Sequence, residues 1–231
     1  MKGIVFYTDN RLDERIESAV QTQLAVAAGN YEIVSVSLAP IDFGRNIVLN
    51  KERGTLTLFE QILAGLEAST ADVVFFCEHD VLYHPSHFEF VPPRADVFYY
   101  NVNVWKVRAE DGHAMRVDDC KQTSGLCAYR TLLLEHYRKR VKLVTKYGFS
   151  RRMGFEPGTH NRKERVDDCK AKSWESEGPN IDIRHEYNLT KSRWRKEQFR
   201  NQRYTHGWAE ADEVPGWGRF EKVLDDLAPV T

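Results

Sequence analysis

The sequence predicts an α/β fold with a parallel sheet in its first half, on three observations. Gly3 to Tyr7 and Asp72 to Cys77 are apolar runs with the length and composition of buried strands, and Tyr31 to Leu38 reads as a strand between them. Between them, Ile16, Val20, Leu24 and Ala27, then Leu58, Ile62 and Leu66, recur at helical spacing. Strand and helix in alternation require right-handed crossovers, and those make neighbouring strands parallel.

Each element has its own boundary signal. The first strand breaks at Thr8-Asp9-Asn10, which offers helix-capping side chains, and the helix that follows should stop at Gly29. A polar loop follows the second strand, and Thr57 with Glu60 is expected to form a capping box at the start of the second helix. Val97 to Val107 reads as one strand, with Glu110-Asp111-Gly112 turning it back through His113 to Val117. Thr131 to Val144 reads as a helix. From Phe149 to Asn188 there is little periodicity but many Gly, Pro, His and carboxylate residues, which suits an active-site segment or a plain loop. In parallel sheets ligands bind at the carboxyl ends of the strands, so Thr8 to Arg11 and Glu78-His79-Asp80 should share one rim.

At 231 residues, 42% hydrophobic and 29% charged, the chain is long and apolar enough for one folded domain, which excludes a disordered or fibrous protein. No run approaches the roughly 20 apolar residues of a membrane helix, and the apolar run within the opening MKGIVFYTDN is too short for the hydrophobic region of a signal peptide. A cytoplasmic location away from membranes is expected. Cys77, Cys120, Cys127 and Cys169 are then reduced thiols, and the sequon Asn188 to Thr190 a chance match. The first strand is followed by neither G-x-G-x-x-G nor G-x-x-x-x-G-K-[ST], which excludes a dinucleotide-binding dehydrogenase and a P-loop enzyme. The loop TDNRLDER also lacks the glycines of a sugar nucleotidyltransferase.

The sharpest chemical feature is CEHDVLYHP. Its Glu78 and Asp80 sit where an apolar strand emerges, and carboxylate oxygens there suit a hard cation such as Mn²⁺ or Mg²⁺; a pair of solvated charges ending a strand fits the same pattern. Two basic stretches interrupt a net charge of −1. One holds Arg138, Lys139, Arg140, Lys142, Lys146, Arg151 and Arg152. The other, Lys191 to Tyr204, interleaves Arg193, Arg195 and Arg200 with Trp194, Phe199 and Tyr204. Cations among aromatics suit a polyanion with stackable bases, and equally an amphipathic helix with a solvated basic face.

With those residues in view, the layout resembles the GT-A class of glycosyltransferases over residues 1–190: a Rossmann-like nucleotide-binding half with a mixed sheet, then an irregular acceptor-binding half. GIVFYTDN resembles the family's first strand, Asn50-Lys51-Glu52-Arg53-Gly54 its polar stretch before a helix, and EHD replaces the usual D-x-D. Residues 191–231 are expected to form a basic, aromatic extension packed on that domain. The resemblance implies a nucleotide-sugar donor, a UDP-sugar above others, contacted by Thr8, Asn10, Arg11, Arg53, Glu78 and His79. It implies Mn²⁺ or Mg²⁺ held by Asp80 and His185, with His79, His84, His87 and His160 competing for the histidine role, and with Asp182 and Arg184 orienting the loop or touching the diphosphate. In an inverting enzyme it implies a base among Glu156, Asp167 and Asp168. The strings SGLCAYR, EPGTH, NIDIRH and PGWG resemble the phage DNA-hypermodification glycosyltransferases associated with TET/JBP-type dioxygenases. That resemblance implies 5-hydroxymethylcytosine or 5-hydroxymethyluracil in DNA as acceptor, held by Arg193, Arg195 and Arg200. A surface glycan or lipid-linked acceptor, and a non-catalytic DNA-binding module, are the alternatives.

Overall fold

A computed structural model gives the architecture; it describes residues 1–150, 153–160, 165–199 and 205–227. The first half follows the expected alternation with one added strand: β1 (Lys2–Tyr7), α1 (Glu14–Ala28), β2 (Glu32–Ser37), β3 (Arg45–Val48), α2 (Thr55–Ala68) and β4 (Val73–Glu78); β3, in the loop after β2, is the addition. After β4 come β5 (Val81–Leu82), β6 (Val97–Asn101), β7 (Val104–Arg108), β8 (Ala114–Arg116), β9 (Leu126–Tyr129), α3 (Arg130–Tyr147), β10 (Lys170–Trp174), β11 (Asn180–Arg184), β12 (Ala209–Ala211) and α4 (Phe220–Leu227).

The strands form two sheets. The larger runs β10-β6-β9-β4-β1-β2-β3, with β4, β1, β2 and β3 parallel and β9 antiparallel to both of its neighbours. The smaller runs β12-β8-β7-β11-β5. The predicted mixed α/β architecture is therefore present. Side chains alternate between its faces as a strand's period of two requires. Ile4, Phe6, Phe75 and Cys77 pack with α1 and α4, whereas Val5, Tyr7, Val74 and Phe76 pack with α2 and α3. Gly65 lets α2 lie close on β1, since a Cβ there would stand 2.5 Å from Val5 Cγ1. That approach carries Gln61 to the end of β1, where its amide donates to Thr8 O at 2.7 Å.

Several local expectations are corrected. Asp13, not Thr8-Asp9-Asn10, caps α1, accepting from the amides of Arg15 and Ile16. Asn10 instead takes a left-handed conformation (φ 58°), and its Oδ1 accepts from the amides of Leu38 and Ala39. No capping box opens α2: Gly54 is its cap, and the Thr57 hydroxyl turns back to Glu52 O at 2.6 Å. The expected single strand from Val97 to Val107 is two strands in different sheets. Buried Asn101 causes the break, because its Oδ1 accepts from the amides of Asn103 and Ser176, which turns the chain out of the large sheet. The hairpin at Glu110-Asp111-Gly112 is present, with Gly112 at φ 73° and β7 antiparallel to β8.

β12 pairs with β8 and α4 packs on α1, so the described part of the C-terminal segment lies against the domain. Among the described residues no helix is long and apolar enough to cross a membrane, and all four cysteines are free thiols.

Candidate metal centre

β1 and β4 end side by side, with Tyr7 opposite Glu78 and the Tyr7 hydroxyl donating to Glu78 Oε1 at 2.7 Å. The chain then turns through His79 and Asp80 into β5, which pairs antiparallel with β11. Ile183 N–H donates to Asp80 O at 2.8 Å, closing that pairing and delivering the residues after β11 to the end of β4. His185 Nε2 thereby lies 3.4 Å from Asp80 Oδ2. One ligating atom from each of His79, Asp80 and His185 lies within 4.8 Å of the other two.

Two imidazoles and a carboxylate fit a divalent cation, and the electrostatics prepare the carboxylate for it. Asp80 is 5% exposed. Burial alone would raise its carboxyl pKa, but the hydrogen bond from His185, with His79 and Arg184 close by, outweighs burial and lowers it. Glu78 behaves in the opposite way. Burial, then the charge of Asp80, push its carboxyl up to about 8, against the pull of the Tyr7 hydroxyl. The two acids of EHD are thus shifted in opposite directions, Asp80 toward the anion and Glu78 toward the acid. Asp182, 2% exposed, accepts from Gln122 and from Arg184 Nη1, so it orients the guanidinium beside the cluster.

The residues expected to touch a donor are divided. Thr8 is buried, with its hydroxyl accepting from Asn10 N at 3.0 Å, and Asn10 is committed to Leu38 and Ala39. Both shape the loop. Arg11 is exposed on the rim. Arg53 pairs with Asp9 and donates to Tyr187 O, tying the loop after β11 to the end of β1. His79 belongs with the candidate ligands, with Asp9 Oδ1 3.9 Å from its Nε2.

No hydrogen bond or ion pair among the described residues joins the three carboxylates named as bases to the cluster. Asp167 accepts from His136 Nδ1, and the other ring nitrogen, Nε2, accepts from Arg140 Nε at 3.0 Å. Arg140 is 1% exposed, donates to Gly154 O at 2.6 Å and stacks over Phe59 at 4.8 Å. Asp167, His136 and Arg140 form a buried string anchoring α3. Asp168 is exposed and pairs with Arg165. Glu156 lines a small cavity with His136, Arg140 and His160, and burial raises its carboxyl pKa.

The first basic stretch is partly taken up within the fold, while Lys142 and Lys146 are exposed. Arg138 pairs with Glu67 at 3.0 Å, Lys139 with Glu135 at 2.7 Å, and Arg140 is buried. In the second, Arg193 and Arg195 are exposed; Arg193 lies over the Phe199 ring at 5.1 Å, and Trp194 lies under Arg108 at 5.0 Å. Arg151, Arg152, Arg200 and Tyr204 lie outside the described residues.

Sequence reasoning passed over Asn188. Its Nδ2 donates to Asp80 Oδ2 at 2.6 Å, and its Oδ1 accepts from His185 N at 2.7 Å. Nothing in the local pattern N-L-T signals this, because the contact depends on the pairing of β5 with β11.

No family model matches the chain, and no curated protein matches it. Solved structures show distant likeness. One is the bifunctional IspDF of Campylobacter jejuni, with TM-score 0.39 and 13% identity over 77% of this chain and 50% of that one, so this chain spans half its length. A second is a glycosyltransferase involved in glycosylation of the major capsid of PBCV-1, with TM-score 0.46 and 10% identity over 78% and 92% of the two chains. A third is a Drosophila β1,4-galactosyltransferase 7 in complex with manganese, UDP-Gal and xylobiose, with TM-score 0.39 and 12% identity over 87% and 80%. At these scores none of them bears on what this chain does.

Proposed function

We propose that this chain is a metal-dependent glycosyltransferase of the GT-A type, moving a sugar from a nucleotide-sugar donor, favouring a UDP-sugar, to a hydroxyl acceptor. The observation that carries the reading is the cluster of His79, Asp80 and His185 at the carboxyl end of β4. A parallel sheet presents ligands at that rim, and this one presents an ionised carboxylate with two imidazoles. His79, Asp80 and His185 would hold a divalent cation there, whose charge would offset that of the diphosphate leaving group. Imidazole nitrogens suit Mn²⁺ better than Mg²⁺, whose preference is for oxygen.

The chain's own groups supply the rest. Arg184, fixed by Asp182, and exposed Arg11 add positive charge for the phosphates. Tyr187, 46% exposed beside Arg53, offers a ring to the donor base. Of the three carboxylates, Asp167 is spent on His136 and Asp168 on Arg165, which leaves Glu156 to take the acceptor proton if the reaction inverts. Its pKa, raised by burial, moves it toward the range of a general base.

For the acceptor, the reading is the hydroxymethyl group of 5-hydroxymethylcytosine or 5-hydroxymethyluracil in DNA. Exposed Arg193 and Arg195 flanking Trp194 suit phosphates and an unstacked base. The test offers UDP-hexoses with Mn²⁺ and hydroxymethylated, unmodified or no DNA, and follows intact mass. One hexose per hydroxymethylated base is expected, and none on unmodified DNA. Transfer to a glycan or lipid-linked sugar alone would replace the acceptor. DNA binding without any transfer would leave a non-catalytic module.

A further inference from the structure

Three atoms beside the metal cluster are spaced as ligands are. Asp80 Oδ2 lies 3.4 Å from His185 Nε2. The Asn188 carboxamide nitrogen stands 2.6 Å from the first and 3.2 Å from the second. Adjacent corners of an octahedron with bonds of about 2.1 Å are about 3 Å apart. The end of the Asn188 side chain therefore occupies a corner that shares a face with both proposed ligands.

The nitrogen of a carboxamide only donates, so it cannot bind a cation; the oxygen at the other end carries two lone pairs. The two ends are nearly isosteric, and half a turn about the terminal bond exchanges them. Hard divalent cations accept Asn oxygens alongside carboxylates. The backbone already brings the residue to this corner. Arg53 grips Tyr187 O, and Asn188 N–H reaches back to His185 O at 3.4 Å, so the turn from His185 to Asn188 is closed without the carboxamide nitrogen.

We propose that Asn188 is a ligand of the divalent cation through its carboxamide oxygen, forming one face of the coordination shell with Asp80 and His185. The assignment rests on the metal-dependent reading above. It also predicts a sign for one substitution. The half turn gives up the bond from His185 N–H to Asn188 Oδ1, whereas a carboxylate has an oxygen at both ends. Asn188→Asp keeps that bond and supplies the ligand together.

The test loads the full chain, as wild type, Asn188→Ala and Asn188→Asp, with Mn²⁺. Three quantities are read: the dissociation constant by titration, the number of metal-bound waters by relaxation of isotopically labelled water, and imidazole coordination by electron spin-echo modulation. Ligation predicts one additional bound water in Asn188→Ala, with the imidazole coupling retained and binding about tenfold weaker or more. It predicts tighter binding by Asn188→Asp with the wild-type water number. An unchanged water number in Asn188→Ala, or weaker binding by Asn188→Asp, overturns the assignment. Loss of the imidazole coupling in Asn188→Ala also overturns it, making Asn188 a positioning residue for His185. Failure of the wild type itself to bind Mn²⁺ or Mg²⁺ would instead remove the metal reading and the assignment together.

Discussion

Replacing Asp167 with asparagine removes the one negative charge from a buried string and should cost a measurable amount of stability. His136 and Asp167 have side chains only 2% and 11% exposed, so solvent screens their interaction little. Because Arg140 Nε donates to His136 Nε2, the ring is neutral with its proton on Nδ1, facing Asp167. Burial, with Arg140 adding to it, lowers the histidine pKa against the pull of Asp167. Burial would raise the carboxyl pKa, but the bond from His136 outweighs it and lowers it. An asparagine oxygen still accepts from Nδ1–H, so the loss is the difference between a charged and a neutral hydrogen bond, about 1 to 2 kcal/mol at neutral pH. Both groups bind fewer protons folded than unfolded, so acid destabilises the wild type. The histidine contribution begins to fall below about pH 6.5, and the aspartate contribution is lost from about pH 4 downward, as pH falls through the depressed folded value. The assay is urea unfolding of both proteins from neutral pH to the acid limit. The gap between them should hold or widen slightly from pH 7 to about pH 5, since Asp167 also favours protonation of His136, and close below about pH 4. A gap independent of pH, or no gap at pH 7, would refute the neutral-histidine, ionised-aspartate assignment.

Other consequences are read directly. Asp80→Asn should lose at least about a hundredfold in kcat while circular dichroism stays that of the wild type, because the charge facing the cation is gone; turnover within a few-fold of wild type would end its role as ligand. Gly65→Ala should destabilise the fold by about 1 to 3 kcal/mol in chemical denaturation despite alanine's better helix propensity, since the new Cβ meets Val5. A neutral or stabilising result would show that α2 can shift away from β1. Charge reversal at Arg193 and Arg195 should raise the KM for DNA and flatten its salt dependence while leaving the KM for the donor in place. Equal effects on both substrates would detach these residues from the acceptor.

The legible parts of this chain are those where burial writes itself into the sequence. β1 and β4 are covered on both faces, so their apolar runs are nearly unbroken, and α1 and α2 show their buried stripes at helical spacing. β3 is four residues with no fully buried side chain, and β10 (KAKSW) is largely polar and exposed, so neither carries a strand signal. The break between β6 and β7 hinges on the hydrogen bonds of Asn101 to Ser176, 75 residues away. The site divides in the same way. Glu78-His79-Asp80 could be picked out because it ends an apolar strand. That Asp80 is shifted down and Glu78 up follows from burial, from the nearness of the two carboxyls and from His185, which sheet pairing brings to Asp80. The meeting of Asp80, His185 and Asn188 depends on β5, a strand of two residues that no periodicity could reveal. The pairing of Asp167 with His136 was equally hidden, since it joins an irregular segment to α3 across 31 residues.

The central claim, metal-dependent sugar transfer at the His79–Asp80–His185 cluster, is tested most directly by nucleotide release. The purified full chain is incubated with UDP-hexoses and DNA containing hydroxymethylated pyrimidines, with Mn²⁺, with Mg²⁺ or with EDTA. The account predicts UDP release matched by hexose gained on DNA with Mn²⁺, less with Mg²⁺, and none in EDTA until Mn²⁺ is restored. Undiminished release and transfer in EDTA would contradict it.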